Sequence, residues 1–434
     1  MGRPRRRDQA IRLTIMMIRK HADPAAWCGP PDPESPRRLL TPFVALILLL
    51  HLPSFAVPHR GGDELAYLAV AASMDWDLSN YTTREHPVVS HFPYSIYRQE
   101  LFHQPPLYPL ILKVGHAAGA PVAIGLMAQL LLMVMLLFFS RRVAAIFKLP
   151  QGLQVALYSA ITFGPLLLFS TTRLHHEGLL AGLLFCALAV YLEADRDQSV
   201  KKVVMAAFLL VLALNVRYNA IVALPLLPAL LAYQMYRNRQ TTMPPAQWAS
   251  IALVVLLVIT LGLPHYYRVF ATYGSLMPSA FIVPDLDVEQ FNTYLRDVHT
   301  RTRVHVSVAL VVLFPMILTW FTPSYARYLS QRFHERSWEL AFPVATVFLL
   351  TVHMVLLHSQ LRYFAVATPF MFMSFVLQLN AAEGARRRRL WGWAGLTLLS
   401  MGTSAVSAAV LRPDIGDVYP SAFALLIFLA ERLP

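Results

Sequence analysis

The sequence predicts an all-α, polytopic membrane helix bundle of about 11–12 spans, each needing roughly 20 apolar residues. Three observations predict it. Charged residues make up 14% of the 434 residues and hydrophobic ones 56%, whereas soluble domains carry about 25% charged residues. The apolar residues gather into runs of span length, and no backbone polar group can be left unsatisfied in lipid, so such runs are helices. Lysines and arginines cluster in the short segments between the runs, the pattern of topology signals. The net charge of +13 therefore reads as orientation and not as a nucleic-acid surface. The roughly ten-residue alternating segments of a membrane barrel are absent from the sequence.

Residues 1–38 form a basic, Pro-rich arm, from Arg3-Pro4-Arg5-Arg6-Arg7 to Pro36-Arg37-Arg38. No small-residue cleavage motif follows the first apolar run, so Leu39–Val57 reads as a span and not as a cleavable signal. Further runs fall at 121–139, 151–170, 178–193, 203–216, 219–236, 248–265, 304–321, 339–358, 363–381 and 391–411, with a short one at 421–430. The run at 203–216 is short for a span, and the last is long enough only to dip into the membrane. Residues 39–434 are expected to form a single multi-pass domain, without internal repeat or external C-terminal domain.

With the arm cytoplasmic, the inner loops carry Arg141-Arg142 with Lys148, Lys201-Lys202, Arg237 with Arg239, Arg327 with Arg332 and Arg336, and Arg386 to Arg389. The outer loops hold single arginines, except for the longer 266–303 segment. Loop 58–120 is then external, periplasmic in a bacterium and luminal in a eukaryote. Cys28 lies in the arm and Cys186 mid-run, which implies neither a disulfide nor a metal site.

Loop 58–120 is too long and too polar for a simple connection. Leu65, Leu68, Ala69 and Ala72 recur at helical spacing and predict an interfacial helix buried on that stripe, with Asp63, Tyr67, Val70 and Met74 opposite. Pro105-Pro106 opens a second helix, through Leu110 to Val114 and stopping near Gly119. Asp63-Glu64 reads as a helix N-terminal charge pair or as external carboxylates able to act as general base or metal ligand. Asp75-Trp76-Asp77 reads as a turn or, with Asp63, as oxygen ligands for a divalent cation. Arg217 and Arg362 end apolar runs externally, where arginine either snorkels or meets an anion. His176-Glu177 opens a span on the same side, either as an interfacial cluster or as part of a site.

The order of a first span, an external Asp63-Glu64 pair and then His103-Gln104-Pro105-Pro106-Leu107-Tyr108 resembles the first external loop of the GT-C glycosyltransferases. The resemblance is to the protein O-mannosyltransferase and aminoarabinose-transferase branch, related to glycosyltransferase family 39. It extends through Thr171 to Glu177, Val216-Arg217-Tyr218-Asn219, Tyr273-Gly274-Ser275 and Leu361-Arg362-Tyr363. It implies a GT-C bundle, a polyprenyl-phosphate-linked sugar donor, an external glycan, lipid or protein acceptor, and inversion at the anomeric carbon. By the same resemblance Asp63 and Glu64 are the catalytic carboxylates, with a divalent cation as the one cofactor candidate. His103, Arg217, Arg362, Tyr363, His176 and Glu177 would then bind substrate. The chain departs from the pattern at Gln104, where lysine is common in the aminoarabinose branch. The competing classes are a transporter or flippase of lipid-linked glycans and a non-catalytic envelope-assembly subunit. Transporters show repeated halves and charges near the midplane, whereas here the charges gather at external span ends.

Overall fold

The structure, a computed structural model, describes residues 35–55, 62–83, 100–238, 245–276, 319–355 and 361–382, with a few isolated positions beyond. Helices and turns make up these residues, with no strand among them. The apolar runs at 391–411 and 421–430, and most of 304–321, lie outside them.

The first run folds as α1 (Ser35–His51), continued by a 3-10 turn, Leu52–Phe55. Loop 58–120 contributes α2 (Gly62–Ser73) and α3 (Leu107–Ala117). As Pro105-Pro106 and Gly119 predict, α3 is entered at Pro106, and the chain turns out of it at Gly119, whose φ of 73° suits a residue without Cβ. Then come α4 (Pro121–Ile146), α5 (Gln151–Phe163) and α6 (Pro165–Thr171). The 151–170 run is thus two helices, because Pro165 has no N–H to continue the ladder of α5.

A tight hairpin follows, α7 (Glu177–Asp197) and α8 (Val200–Leu214). A 3-10 turn, Tyr218–Ala223, leads to α9 (Leu226–Arg237). The 248–265 run also breaks. Helix α10 (Pro245–Leu257) passes through a π turn, Val258–Gly262, into α11 (Pro264–Tyr273), bent by 49°. Pro264 causes the bend, and the Asn215 amide donates to the Leu261 carbonyl inside the π turn at 2.8 Å. The start of the 266–303 loop is therefore helical. Past it lie α12 (Pro323–His334), a polar helix that apolar runs could not announce, α13 (Ala341–Val355), a 3-10 turn Leu361–Val366, and α14 (Thr368–Ala381).

Among the described residues three helical stretches are long and apolar enough to cross a membrane, four if the bent α10–α11 pair is one span. The other described runs are shorter or divided by proline and 3-10 turns. Helix α7 is the centre of the bundle, packed on α4, α8, the 361–366 turn and α14. Its apolar window is 94% buried, against 44% for α4 and 11% for 220–237. Phe185, Phe342, Phe370 and Phe372 fill the space between α7, α13 and α14.

Polar clusters mark the two ends of α7. At its C-terminal end Glu193 pairs with Arg142 of α4 and, at 3.2 Å, with Lys202 of α8. Asp195 accepts from Gln234 (2.7 Å), Arg237 (2.5 Å) and Trp338 Nε1 (2.8 Å). Three of the basic residues that the sequence reading assigns to one face, Arg142, Lys202 and Arg237, thus meet carboxylates at this end of α7. The acidic first-loop elements lie at the other, about 30 Å away along a 21-residue helix rising 1.5 Å per residue.

Candidate active site

Helix α2 buries mainly the face opposite to the predicted stripe. Tyr67, Val70, Ala71 and Met74 are buried, whereas of the stripe only Ala69 is buried, Leu65 and Leu68 being half-buried and Ala72 exposed. Both faces of α2 are apolar, and packing against α3 selects the one with the larger side chains. Tyr67 meets Tyr108 of α3 edge-on at 5.4 Å, and also Phe102 and His176, at 5.7 and 4.9 Å. Glu64, one turn before Tyr67, is carried inward with that face and is fully buried.

Glu64 is held by the turn that joins α6 to α7. One carboxylate oxygen accepts from the Leu174 N–H at 3.0 Å, and the other lies 3.8 Å from the Arg173 guanidinium. A carboxylate buried this way needs both partners, since unpaired buried charge is costly. The same turn places His176 Nε2 3.3 Å from the Tyr67 hydroxyl. Glu177, the first residue of α7, pairs with Arg217, and their side chains are 0% and 1% exposed. Arg217 therefore does not snorkel to the surface; it is buried against a carboxylate forty positions earlier in the chain. Tyr266 secures the segment around it, its hydroxyl facing the carbonyls of Leu214 and Arg217, each at 2.8 Å.

The segment before α3 closes the site on a third side. The Tyr81 hydroxyl donates to the Gln104 carbonyl (2.8 Å), His265 Nε2 to the His103 carbonyl (3.1 Å) and the Leu107 N–H to the Asn215 carbonyl (2.8 Å). Tyr273 of α11 both donates to and accepts from the Leu101 backbone, at 2.7 and 2.9 Å. The His103 ring packs 5.2 Å from that of Tyr218, next to Arg217. Four stretches separated in sequence, 64–67, 103–108, 173–177 and 217–218, thus pack on one another.

Not every predicted site residue joins them. The side chains of Asp63, Arg362 and Tyr363 lie outside what the structure describes. Asp63 is in the first turn of α2, and the 361–366 turn packs on α6 and α7. Asp75 and Asp77 stand past the far end of α2, whose last residue, Ser73, is roughly 15 Å from Asp63 along the axis at 1.5 Å per residue. These two aspartates form a turn. Asp77 accepts from the Ser79 N–H at 3.0 Å and Asp75 from its hydroxyl at 3.3 Å, and the Ser79 donors hold the Asp77 carboxyl below its ordinary pKa. Among the described residues no group of three or more His, Cys, Asp or Glu side chains is spaced to hold a metal.

The sequence reading gives no site role to Tyr67, Tyr108, Arg173 or Gln129. Gln129 sits mid-helix in α4 and donates to the His175 carbonyl, with Tyr108 beside it. A polar residue in an otherwise apolar span was the available signal for it.

No family model and no curated protein matches this sequence. Solved structures do. ArnT from Cupriavidus metallidurans in the apo state superposes with a TM-score of 0.53 at 17% identity, covering 90% of this chain and 69% of that one. The same enzyme bound to undecaprenyl phosphate gives 0.55, with the same identity and coverage. At this identity the likeness establishes the architecture, and the chain has the fold of ArnT, an aminoarabinose transferase of the GT-C glycosyltransferase class.

Proposed function

We propose that the chain is a membrane glycosyltransferase that moves a sugar from a polyprenyl-phosphate donor to an acceptor on the outer face of an inner membrane. The observation that carries this reading is the joint burial of Glu64, Arg173, His176, Glu177 and Arg217 at one end of a GT-C bundle. A bundle that served only to fill lipid would gain nothing from four interior charges. The lipid phosphate bound in an ArnT structure supports a donor of that class.

In this reading Asp63 takes the proton from the acceptor hydroxyl. The acceptor oxygen attacks the anomeric carbon from the face opposite the phosphate, a new C–O bond forms with inversion, and the polyprenyl phosphate leaves as an anion. Glu64, with both oxygens engaged inward, anchors the first turn of α2 and so fixes where Asp63 stands. Arg362, on a turn packed against α6 and α7, provides a fork of donors for the departing phosphate, whose charge grows as the glycosidic bond breaks. Arg217 adds a cation whose position the buried Glu177 holds.

Mass spectrometry of the cell envelope with and without the gene tests this directly. One glycosyl unit should be missing from a single envelope component, and Asp63→Asn should fail to restore it. An unchanged envelope glycan profile in the deleted strain would remove the assignment.

A further inference from the structure

We infer that Gln104 holds His103 as a neutral imidazole protonated on Nδ1, so that His103 serves its ligand as an uncharged hydrogen-bond donor. The argument runs outward from a group whose role is unambiguous. The Tyr218 backbone N–H can only donate, and it points at the Gln104 Oε1 at 3.5 Å. The amide oxygen therefore faces Tyr218, and the NH2 group faces the other way, 2.8 Å from His103 Nε2. Two donors cannot face each other, so Nε2 is the acceptor and the ring proton sits on Nδ1. Gln104 is 6% exposed, so water is a poor substitute for either bond.

The surrounding contacts support this state. Both peptide carbonyls of the pair are clamped, that of His103 by His265 Nε2 and that of Gln104 by the Tyr81 hydroxyl. The backbone therefore cannot swing to relieve a reversed amide. Among the charged groups around the ring, Arg217 lies 5.9 Å from the Tyr218 ring that packs on His103, with its partner Glu177 behind it. Arg268 acts on Tyr81 and His265, and Glu100 lies further along the same segment.

Gln104 is thus a positioning residue: it fixes the tautomer, and His103 makes the contact. A neutral N–H donor suits an oxygen whose negative charge is already offset by arginines, or a sugar hydroxyl. What His103 contacts rests on the proposed transferase reading; its tautomer does not.

Two measurements test the tautomer without using transfer activity. In purified protein labelled with nitrogen-15 histidine, with His103→Asn to assign the signal, His103 at pH 7 should show an unprotonated Nε2 and a protonated Nδ1. The reverse pattern, or an imidazolium, overturns the inference. Acylation of His103 by diethyl pyrocarbonate, followed by peptide mass spectrometry, reads the fraction of neutral ring against pH. Its midpoint in wild type should fall at or below about 6.5, the ordinary imidazole value. Gln104→Glu places a carboxylate on Nε2 and should raise the midpoint by roughly one to three units. A rise of less than half a unit overturns the role of Gln104, and the labelling result on wild type stands whether or not that variant folds.

Discussion

The Arg217–Glu177 pair offers the strongest test of how this site is built. Arg217→Met leaves the Glu177 carboxylate in a place where both side chains are sealed from solvent, 1% and 0% exposed. Breaking a buried pair from one side costs about 3–5 kcal/mol. Coulomb attraction gives a similar figure, about 4 kcal/mol for unit charges 4 Å apart at an effective dielectric near 20. Glu177→Gln should cost a comparable amount, because it takes the opposing charge away from the buried guanidinium instead. The double variant Arg217→Met/Glu177→Gln removes both charges and should recover to within about 2 kcal/mol of wild type, as uncharged replacements of buried pairs commonly do. Stability is read from equilibrium unfolding of purified protein in a single detergent, and transfer is assayed alongside. The double variant should be folded and inactive. Single variants each within about 1 kcal/mol of wild type, the range of solvent-exposed pairs, would refute the buried-pair reasoning. So would a double variant whose loss equals the sum of the singles.

The other expectations are simpler. Asp63→Asn should abolish transfer with unfolding unchanged, since an amide cannot take the acceptor's proton. Glu64→Gln should keep an acceptor for Leu174 but lose the charge facing Arg173, lowering stability by about 1–3 kcal/mol; equal stability would place Glu64 in a wetter setting. Arg362→Ala should slow transfer by tenfold or more, about 1.4 kcal/mol, and Arg362→Lys should recover part of it; activity within twofold of wild type for Arg362→Ala would remove Arg362 from the site. A lone cysteine at Ser90 should react with impermeant maleimide from outside only, and labelling from the cytoplasmic side alone would invert the topology. Gly115→Ala would set a Cβ 2.7 Å from Pro121 Cα and should destabilise the α3–α4 turn by about 1–3 kcal/mol, read as a lower unfolding midpoint.

What was legible in the sequence was what local chemistry decides. Pro105-Pro106 and Gly119 bounded α3 because proline and glycine act on their own backbone. The convergence of Arg142, Lys202 and Arg237 on one end of the bundle followed from charge in short loops. The buried face of α2 was not legible, because apolar residues occupy both sides and only the neighbour chooses. Nor was the fate of Arg217, whose partner is forty residues away and is brought to it by the hairpin of α7 and α8. The broken runs at Pro165 and Pro264 were marked in the sequence by proline, yet hydropathy averaged across them. Gln104 could be seen as a departure from a common lysine, but its hold on His103 depends on the Tyr218 backbone, which no motif records.

Helix α7 joins the two polar ends with a fixed phase. Asp195 follows Glu177 by 18 positions (195 − 177), which is five turns at about 3.6 residues per turn. Both carboxylates thus leave the same side of one rod, one toward Arg217 and the other toward Arg237 and Trp338. Adding or losing one residue between them would rotate one end by about 100° and detach it from its partners. Descendants of this chain can exchange the apolar letters of α7 only for others that fit its packed surroundings, and its length can drift only in steps close to whole turns. The helix therefore works as a ruler that evolution cannot recut.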